Sequence, residues 1–244
     1  MRIGIDCRLP TYRMGGISQY VLHLIPALAD IDGENSYTLF HSRREPHSFL
    51  PEESGRWHRR NLWTPCHHRL ERWTLSAELV PHNLDVFHSP DFIPPRLGAE
   101  RRVITIHDLN FLYYPELLTD ESRRYYVDQI EWAAREADVI SADSEATRRD
   151  IIHKLGVQQD RVKTVYLAAN PLFQQGPPAG DIFKTLQHYG LPRGFFLAVG
   201  TLEPRKNLPF LLRVYARLRA EKGVHEPLVL VGRKGWHYGE IFRT

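Results

Sequence analysis

The chain has 244 residues, of which 42% are hydrophobic and 25% charged, a balance typical of a globular protein. Its formal net charge is only +3, which does not favour a nucleic-acid binder. Cys7 and Cys66 form neither a metal-type spacing nor a disulfide framework, so a reducing cytoplasm is the expected compartment. No signal peptide precedes the first strand pattern, and no apolar stretch is long enough to span a bilayer.

The first strand is predicted at residues 2–7, and an amphipathic helix at residues 17–28. Between them lies the glycine pair Gly15 and Gly16, which would let a ligand approach backbone N–H groups closely. The pair does not form the G-x-G-x-x-G dinucleotide fingerprint, so a plain flexible turn is the alternative.

The next part of the chain predicts ordinary elements and no metal site. His67 and His68 have no carboxylate or cysteine at ligand spacing, so we interpret them as the solvated start of a helix. The predicted elements are a strand at 36–41, an irregular polar segment at 43–60, a helix at 67–79, a short strand at 85–89 and a loop at 90–95.

His107 and Asp108 follow a central-strand pattern at residues 103–106. They therefore lie at the carboxyl end of a strand, where open α/β sheets bind their ligands. An imidazole and a carboxylate at this place could orient a hydroxyl group or donate a hydrogen bond. The alternative is structural: Asp108 caps the next turn, and His107 is a core histidine whose hydrogen bonds are satisfied.

Beyond them, the pattern predicts a long amphipathic helix at 120–137 and a strand at 138–143. Ser144 is the predicted N-cap of a helix at 145–155 that Gly156 closes. A strand at 161–167 and a linker rich in proline and glycine at 170–180 complete this part.

The most informative stretch begins with an apolar strand at residues 195–199. Gly200 then permits a turn, and Arg205 and Lys206 place two cations in a loop that Asn207 ends as the predicted N-cap of a helix. Fixed charges, free N–H groups and the positive end of a helix dipole together favour phosphate binding. The alternative is a solvated connection with ordinary surface cations.

Repeated alternation of strands and helices predicts the α/β class with doubly wound parallel sheets. We predict a complete Rossmann-like domain at 1–172, an interdomain linker at 173–190 and the incomplete start of a second Rossmann-like domain at 191–244. The second domain has only two predicted strands, which are too few to bury both faces of a parallel sheet.

The motif GTLEPRKN at residues 200–207 resembles the loop that opens the second domain of retaining, GT-B-fold glycosyltransferases of family four, the group-one class. The segment at 105–109 is similar to a first-domain segment of that family, and the segment at 139–151 to the last βα unit of its first domain. The resemblance covers essentially the whole chain. It implies a GT-B fold, and since the family's downstream pair of glutamates is absent, it also implies an amino-terminal portion of the enzyme.

The resemblance implies roles for four residues at the donor phosphates. Arg205 and Lys206 would grip the diphosphate, while Gly15 and Gly16 would form the glycine-rich first loop that faces the donor. Some relatives carry an arginine where this chain has Thr201, so donor binding would rest more on the two cations.

The resemblance also implies catalytic roles. His107 is the first catalytic candidate and would approach the donor sugar and the acceptor. Asp108 is the second catalytic candidate. Ser144 and Thr201 are expected to line the cleft.

The implied activity is transfer of a hexose from a nucleotide diphosphate sugar to a polysaccharide or lipid-linked glycan, with retention at the anomeric carbon. Mannose is the suggested hexose, because the loop at 200–207 resembles that of bacterial O-antigen mannosyltransferases. The family implies no metal and no cofactor. The expected location is the cytoplasm, with peripheral contact at the inner face of the membrane left open.

Two other function classes remain open at this point. A Rossmann oxidoreductase or epimerase would need a dinucleotide fingerprint after the first strand, and the chain has none there. A non-catalytic module that binds a glycan or a partner would need no further carboxylates.

Overall fold

The structure is a computed structural model that describes residues 1–51, 55–68 and 70–244. The chain divides into two compact units, Met1–Ala168 and Ala169–Thr244. Both contain parallel β-sheet and helices, which confirms the predicted α/β class.

The first unit is built on one parallel sheet of seven described strands in the order β3-β2-β1-β4-β5-β6-β7. Successive strands run outward in one direction from β1 and then in the other from β4. That change of direction is the switch point at which open sheets form a ligand crevice. The strands are β1 (Arg2–Asp6), β2 (Ser36–Ser42), β3 (Trp57–Leu62), β4 (Leu84–Ser89), β5 (Ala99–Ile106), β6 (Val139–Ala142) and β7 (Val162–Thr164).

Helices connect these strands and bury their apolar stripes against the sheet. Val21 and Ile25 of the second helix pack with Ile5, while Ile130 and Ala133 of the fifth pack with a second cluster. Each fully buried aliphatic side chain contributes about 1.5–3 kcal/mol to folding. The helices are α1 (Leu9–Tyr12), α2 (Gly16–Ile31), α3 (Glu71–Leu79), α4 (Asn110–Tyr113), α5 (Asp120–Glu136) and α6 (Glu145–Leu155).

The polar segment predicted at residues 43–60 was wrong in part, because its end forms strand β3. This edge strand pairs with β2 along its length, and the buried Trp57 stacks on Tyr37 with ring centroids 4.1 Å apart. Leu62 is buried at its other end. Residues 52–54 of the segment lie outside the described residues.

The helix predicted to start at residue 67 begins instead at Glu71. His67 has a φ of 59°, a left-handed conformation that cannot continue a helix. Residue 69, which also fell within that prediction, is outside the described part of the chain.

The second unit contains a parallel pair of strands, β8 (Phe196–Val199) and β9 (Leu228–Val231), with helices α7 (Ala179–Tyr189) and α8 (Leu208–Lys222). Helix α7 lies inside the stretch predicted as a linker, where its amphipathic pattern was hidden behind the preceding prolines and glycines. Leu197 and Val199 on β8 are 55% and 73% exposed, so the two described strands leave much of their apolar surface uncovered.

Candidate functional site

His107 and Asp143 form a hydrogen-bonded pair at the carboxyl edge of the first sheet. The register pairs Ile106 with Ala142, so the residue after each strand falls beside the other. His107 Nδ1 lies 2.6 Å from Asp143 Oδ2, and His107 Nε2 lies 2.8 Å from the carbonyl oxygen of Pro90. Both ring nitrogens therefore face acceptors, an arrangement that suits a doubly protonated imidazolium.

The protonation of His107 is set by two opposing effects. Burial disfavours the charged ring, but the hydrogen bond and negative charge of Asp143 outweigh burial and raise the pKa of His107 above its ordinary value. The second carboxylate oxygen of Asp143, Oδ1, is buried and has no hydrogen-bond partner among the described residues.

Tyr20 and His88 complete the surroundings of His107. The ring of Tyr20 meets that of His107 edge-on, with centroids 5.2 Å apart. His88 Nε2 lies 2.9 Å from Thr105 Oγ1, and burial together with the charge of His107 lowers the pKa of His88 to about 4. Sequence reasoning missed these residues, although His88 also lies near the end of a predicted strand.

Asp108 is exposed and does not join this group of side chains. Its Oδ1 accepts a hydrogen bond of 3.0 Å from the backbone N–H of Asn110, where α4 begins. This is the turn-capping geometry that the structural alternative describes. A direct role for His107 at a substrate would require Nε2 to leave the carbonyl of Pro90.

Gly15 and Gly16 occupy the predicted position before α2. Gly15 is the N-cap residue with an extended backbone, and Gly16 is the first helical residue. A Cβ atom added to Gly16 would meet no described heavy atom within 4 Å, so the space in front of this helix start is open within the first unit.

Ser144 is the N-cap of α6, as predicted. Its Oγ accepts a hydrogen bond of 3.1 Å from Thr147 N, and Gly156 closes the helix with a φ of 64°. Thr147 Oγ1 in turn donates to the carbonyl oxygen of His107 at 3.2 Å. The cap is thus connected to the backbone that carries His107.

A buried ion cluster lies at the same edge of the sheet. The side chain of Arg8 is fully buried and contacts Asp6 Oδ2 at 2.5 Å and Glu71 Oε1 at 2.7 Å. Tyr125 donates its hydroxyl to Glu71 Oε2 at 3.0 Å. No sequence signal joined Arg8 to a glutamate 63 residues away.

In the second unit, Arg205 is held by a buried carboxylate. Its Nη2 and Nε lie 2.7 and 3.1 Å from Oε1 of Glu203, whose side chain is only 2% exposed. Lys206 is exposed and forms no ion pair with any described residue. Asn207 precedes α8, as predicted, but it has a φ of 49° and its side chain makes no cap hydrogen bond within the described residues.

The loop after β8 is held against the segment after β9. Leu202 N donates to Arg233 O at 2.9 Å, and Gly235 N donates to Leu202 O at 3.0 Å. A Cβ atom on Gly232 would lie 1.8 Å from the carbonyl oxygen of Gly200, so only glycine permits this approach.

Thr201 and the two cations after β9 lie along this contact. The Thr201 methyl group would lie 2.8 Å from a Cβ atom on Gly235, which places Thr201 against the second segment and half-buried. Arg233 and Lys234, two exposed cations, lie in the segment that pairs with this loop, and sequence reasoning gave them no role.

Among the described residues, no group of three or more His, Cys, Asp or Glu side chains has the arrangement needed to hold a metal ion. Nor does any helix within 1–51, 55–68 and 70–244 have the length and apolar character needed to cross a membrane.

Comparison with solved structures identifies the fold. Anabaena HepE in complex with UDP and glucose superposes with a TM-score of 0.64 and 18% identity, over 100% of this chain and 64% of that chain. A glycosyltransferase from Rickettsia africae gives a TM-score of 0.62 and 10% identity, over 99% of this chain and 63% of that chain. At these identities the likeness establishes the architecture alone, which is that of GT-B glycosyltransferases.

Two mannosyltransferases from Escherichia coli are similar in sequence to parts of this chain. O-antigen chain mannosyltransferase B from Escherichia coli is 33% identical over 172 residues, which cover 70% of this chain and 43% of the relative. The serotype-specific mannosyltransferase WbdA from the same organism is 31% identical over 133 residues, or 53% of this chain and 16% of the relative. The chain thus spans less than half the length of these relatives. Because the family model of Glycosyltransferase Family 4 matches residues 14–171, well over half of the chain, the protein belongs to that family.

Proposed function

We propose that the protein takes part in transfer of a hexose, with mannose favoured, from a nucleotide diphosphate sugar to a polysaccharide or lipid-linked glycan, with retention at the anomeric carbon. The observation that carries this proposal is the loop after β8, where Arg205 and Lys206 precede the start of α8. Cations at the carboxyl end of a strand, next to a helix N-terminus, form a suitable site for a diphosphate.

The two cations would act on the leaving group. Negative charge builds on the departing nucleotide diphosphate in the transition state, and positioned cations stabilise it without reorganisation. Glu203 orients the guanidinium of Arg205, while Lys206 is free of ion pairs in the described structure and available for a phosphate oxygen. Thr201, half-buried beside this loop, would line the same site.

The choice of donor rests on the named relatives. The structure of HepE contains UDP and glucose, and that of starch synthase IV from Arabidopsis thaliana contains ADP and acarbose. Both support a nucleotide-linked donor, and the two Escherichia coli relatives named as mannosyltransferases favour mannose.

The first unit would supply the groups that surround the reacting sugar. Gly16, where an added Cβ atom would meet no described heavy atom within 4 Å, would let donor phosphates approach the start of α2. His107 would position the reacting hydroxyl or stabilise developing negative charge once its Nε2 leaves the carbonyl oxygen of Pro90, while Asp143 still holds Nδ1. Asp108, at the capped turn, would be a second catalytic residue. Ser144, at the start of α6, would line the cleft.

We also propose that the transfer needs no metal and no cofactor, and that the protein works in the cytoplasm at or near the inner face of the membrane. Transfer that stops in the presence of EDTA and resumes with a divalent cation would contradict the first part of this proposal.

The direct test is donor binding by calorimetry with GDP-mannose and UDP-glucose. Lys206→Ala should weaken binding of the preferred donor by about 10- to 100-fold, because a hydrogen bond to a charged group is lost. Lys222→Ala, at the far end of α8, is the matched control and should bind the donor normally. Donor binding unchanged in Lys206→Ala would refute the site, and glycan binding without any donor binding would favour a non-catalytic module.

A further inference from the structure

Tyr20 links the start of α2 to His107. Gly16 and Tyr20 are four residues apart in this helix, so they lie on the same face, one turn from each other. At Gly16 this face begins where donor phosphates would approach under the proposed function. At Tyr20 it meets the carboxyl edge of the first sheet, where the ring of Tyr20 contacts that of His107.

The ring of Tyr20 is held at this edge mainly by aromatic contacts. It meets the ring of His107 with centroids 5.2 Å apart and that of His88 with centroids 6.4 Å apart, edge-on in both cases. Its hydroxyl lies 3.4 Å from Thr105 Oγ1, which is a long and weak hydrogen bond. The ring therefore fixes the place of Tyr20 more than the hydroxyl does.

The neighbours of Tyr20 on the sheet are themselves fixed. Thr105 is fully buried, and its Oγ1 lies 2.9 Å from His88 Nε2. Burial, together with the charge of His107, lowers the pKa of His88 to about 4, so His88 is neutral at about pH 7. A neutral His88 adds no repulsion to the charge on His107, and the ring of Tyr20 can pack against both.

The orientation of His107 depends on what surrounds its ring. Nδ1 is held by Asp143 at 2.6 Å, while Nε2 has to leave the carbonyl oxygen of Pro90 before it can meet a substrate. The imidazole then turns about its bond to Asp143, and the ring of Tyr20 limits that turn on one side. Without the Tyr20 ring, the imidazole would take a wider range of orientations, of which fewer are productive.

We infer that Tyr20 is a positioning residue for His107: its ring sets the direction in which the imidazole points and couples that direction to the start of α2. The inference rests on the proposed function, because it takes His107 to act on a bound nucleotide sugar. It adds to that function a residue that acts through His107 and need not touch either substrate.

Three variants separate the Tyr20 ring from its hydroxyl and from a general loss of packing. Tyr20→Phe keeps the ring and removes the weak bond to Thr105, whereas Tyr20→Leu removes the ring. Tyr215→Leu is the matched control, because Tyr215 is also a half-buried helical tyrosine. Its ring meets Phe196 edge-on at 6.2 Å, and its hydroxyl donates to Glu226 O, both in the second unit.

The first measurement needs no substrate and uses the 244-residue chain. NMR relaxation dispersion of the His107 ring signals detects exchange between orientations on the microsecond to millisecond timescale. Tyr20→Leu should increase this exchange, while Tyr20→Phe and Tyr215→Leu should match the wild type. The same His107 exchange in all four proteins would overturn the inference.

The second measurement compares turnover with donor affinity. The assay uses GDP-mannose as donor and mannotriose as acceptor, and calorimetry gives the Kd of GDP-mannose. Tyr20→Leu should lower kcat by about 10- to 100-fold and leave the donor Kd unchanged, because a small misplacement of a reacting group costs that much in rate. Tyr20→Phe should restore kcat nearly to the wild-type value, and Tyr215→Leu should keep it.

The outcomes keep this inference apart from the proposed function. An equal fall in kcat in the two leucine variants would overturn the inference, because it would report a general loss of packing. A donor Kd that weakens as much as kcat falls in Tyr20→Leu would also overturn it. A wild type that neither binds the donor nor transfers would count against the proposed function, while the His107 signals would still show whether Tyr20 orients the ring.

Discussion

Asp143 lies beside His107 because the two residues follow paired positions on neighbouring parallel strands, and the resulting hydrogen bond is 2.6 Å long. The bond fixes the orientation of the imidazole, and the second nitrogen is fixed by Pro90. The carboxylate is therefore the group whose removal should change both the charge of His107 and the stability of this edge of the sheet.

Asp143→Asn should lower the pKa of His107, because the negative charge that outweighs burial is lost. A folded-state pKa raised above the unfolded value stabilises the fold at pH values below the unfolded pKa, and this contribution is lost as pH rises through the folded pKa. The variant should therefore lose more stability, about 1.5–3 kcal/mol, at about pH 6 than at about pH 9. NMR titration of the ring and urea unfolding at both pH values measure this, and an equal loss at the two would contradict it.

Arg8→Met should be strongly destabilising, because it leaves the buried carboxylate of Glu71 and the partly buried carboxylate of Asp6 without their cation. Removal of one partner from a buried ion pair costs about 3–5 kcal/mol. Arg2→Met is the matched control: its ion pair with Asp85 is solvent-accessible, with Arg2 55% exposed, so its loss should change the free energy of unfolding little. Urea unfolding measures the free energy of unfolding that each variant loses. Similar losses in the two would contradict the larger contribution of the buried cluster.

Gly232→Ala should disrupt the loop that carries Arg205, because the new methyl group would collide with the carbonyl oxygen of Gly200. Overpacking against backbone costs about 1–3 kcal/mol or more. Hydrogen exchange of the Leu202 and Gly235 amides should increase, and donor affinity should fall with it. Gly180→Ala, in the open first turn of α7, is the control and should leave both readouts unchanged.

Ser144→Ala should destabilise the start of α6 by about 1 kcal/mol, because the N-cap hydrogen bond to Thr147 is lost. Ser144→Asp keeps a cap acceptor and should restore most of the stability. Thermal unfolding monitors both variants. If the alanine variant melts at the wild-type temperature, the cap contributes nothing to stability.

Periodicity predicted most strands and helices of the first unit, because the apolar residues within each element keep the spacing of that element. It failed at β3, where the arginines between Trp57 and Leu62 made an edge strand resemble a surface loop.

Long-range contacts could not be predicted from the sequence. Arg8 meets Glu71 only because β1 and the start of α3 converge at one edge of the sheet, and nothing near either residue indicates that contact. In the same way, Glu203 lies beside the segment after β9 because the neighbouring Leu202 exchanges backbone hydrogen bonds with Arg233 and Gly235. The placement of His107, Asp108, Arg205 and Lys206 after predicted strands was visible in the sequence, as was the capping of a turn by Asp108. The partners of His107 and Arg205, which are Asp143 and Glu203, were not.

The contact between Gly200 and Gly232 has a consequence for exchanging parts between members of the family. The two cations of the loop take their positions from a neighbouring strand that lies about thirty residues further along the chain. A graft of residues 200–207 into another scaffold would carry over the amino acids but not the positions that they take against the neighbouring segment. Residues 232–235 would have to be transplanted with them as one cassette.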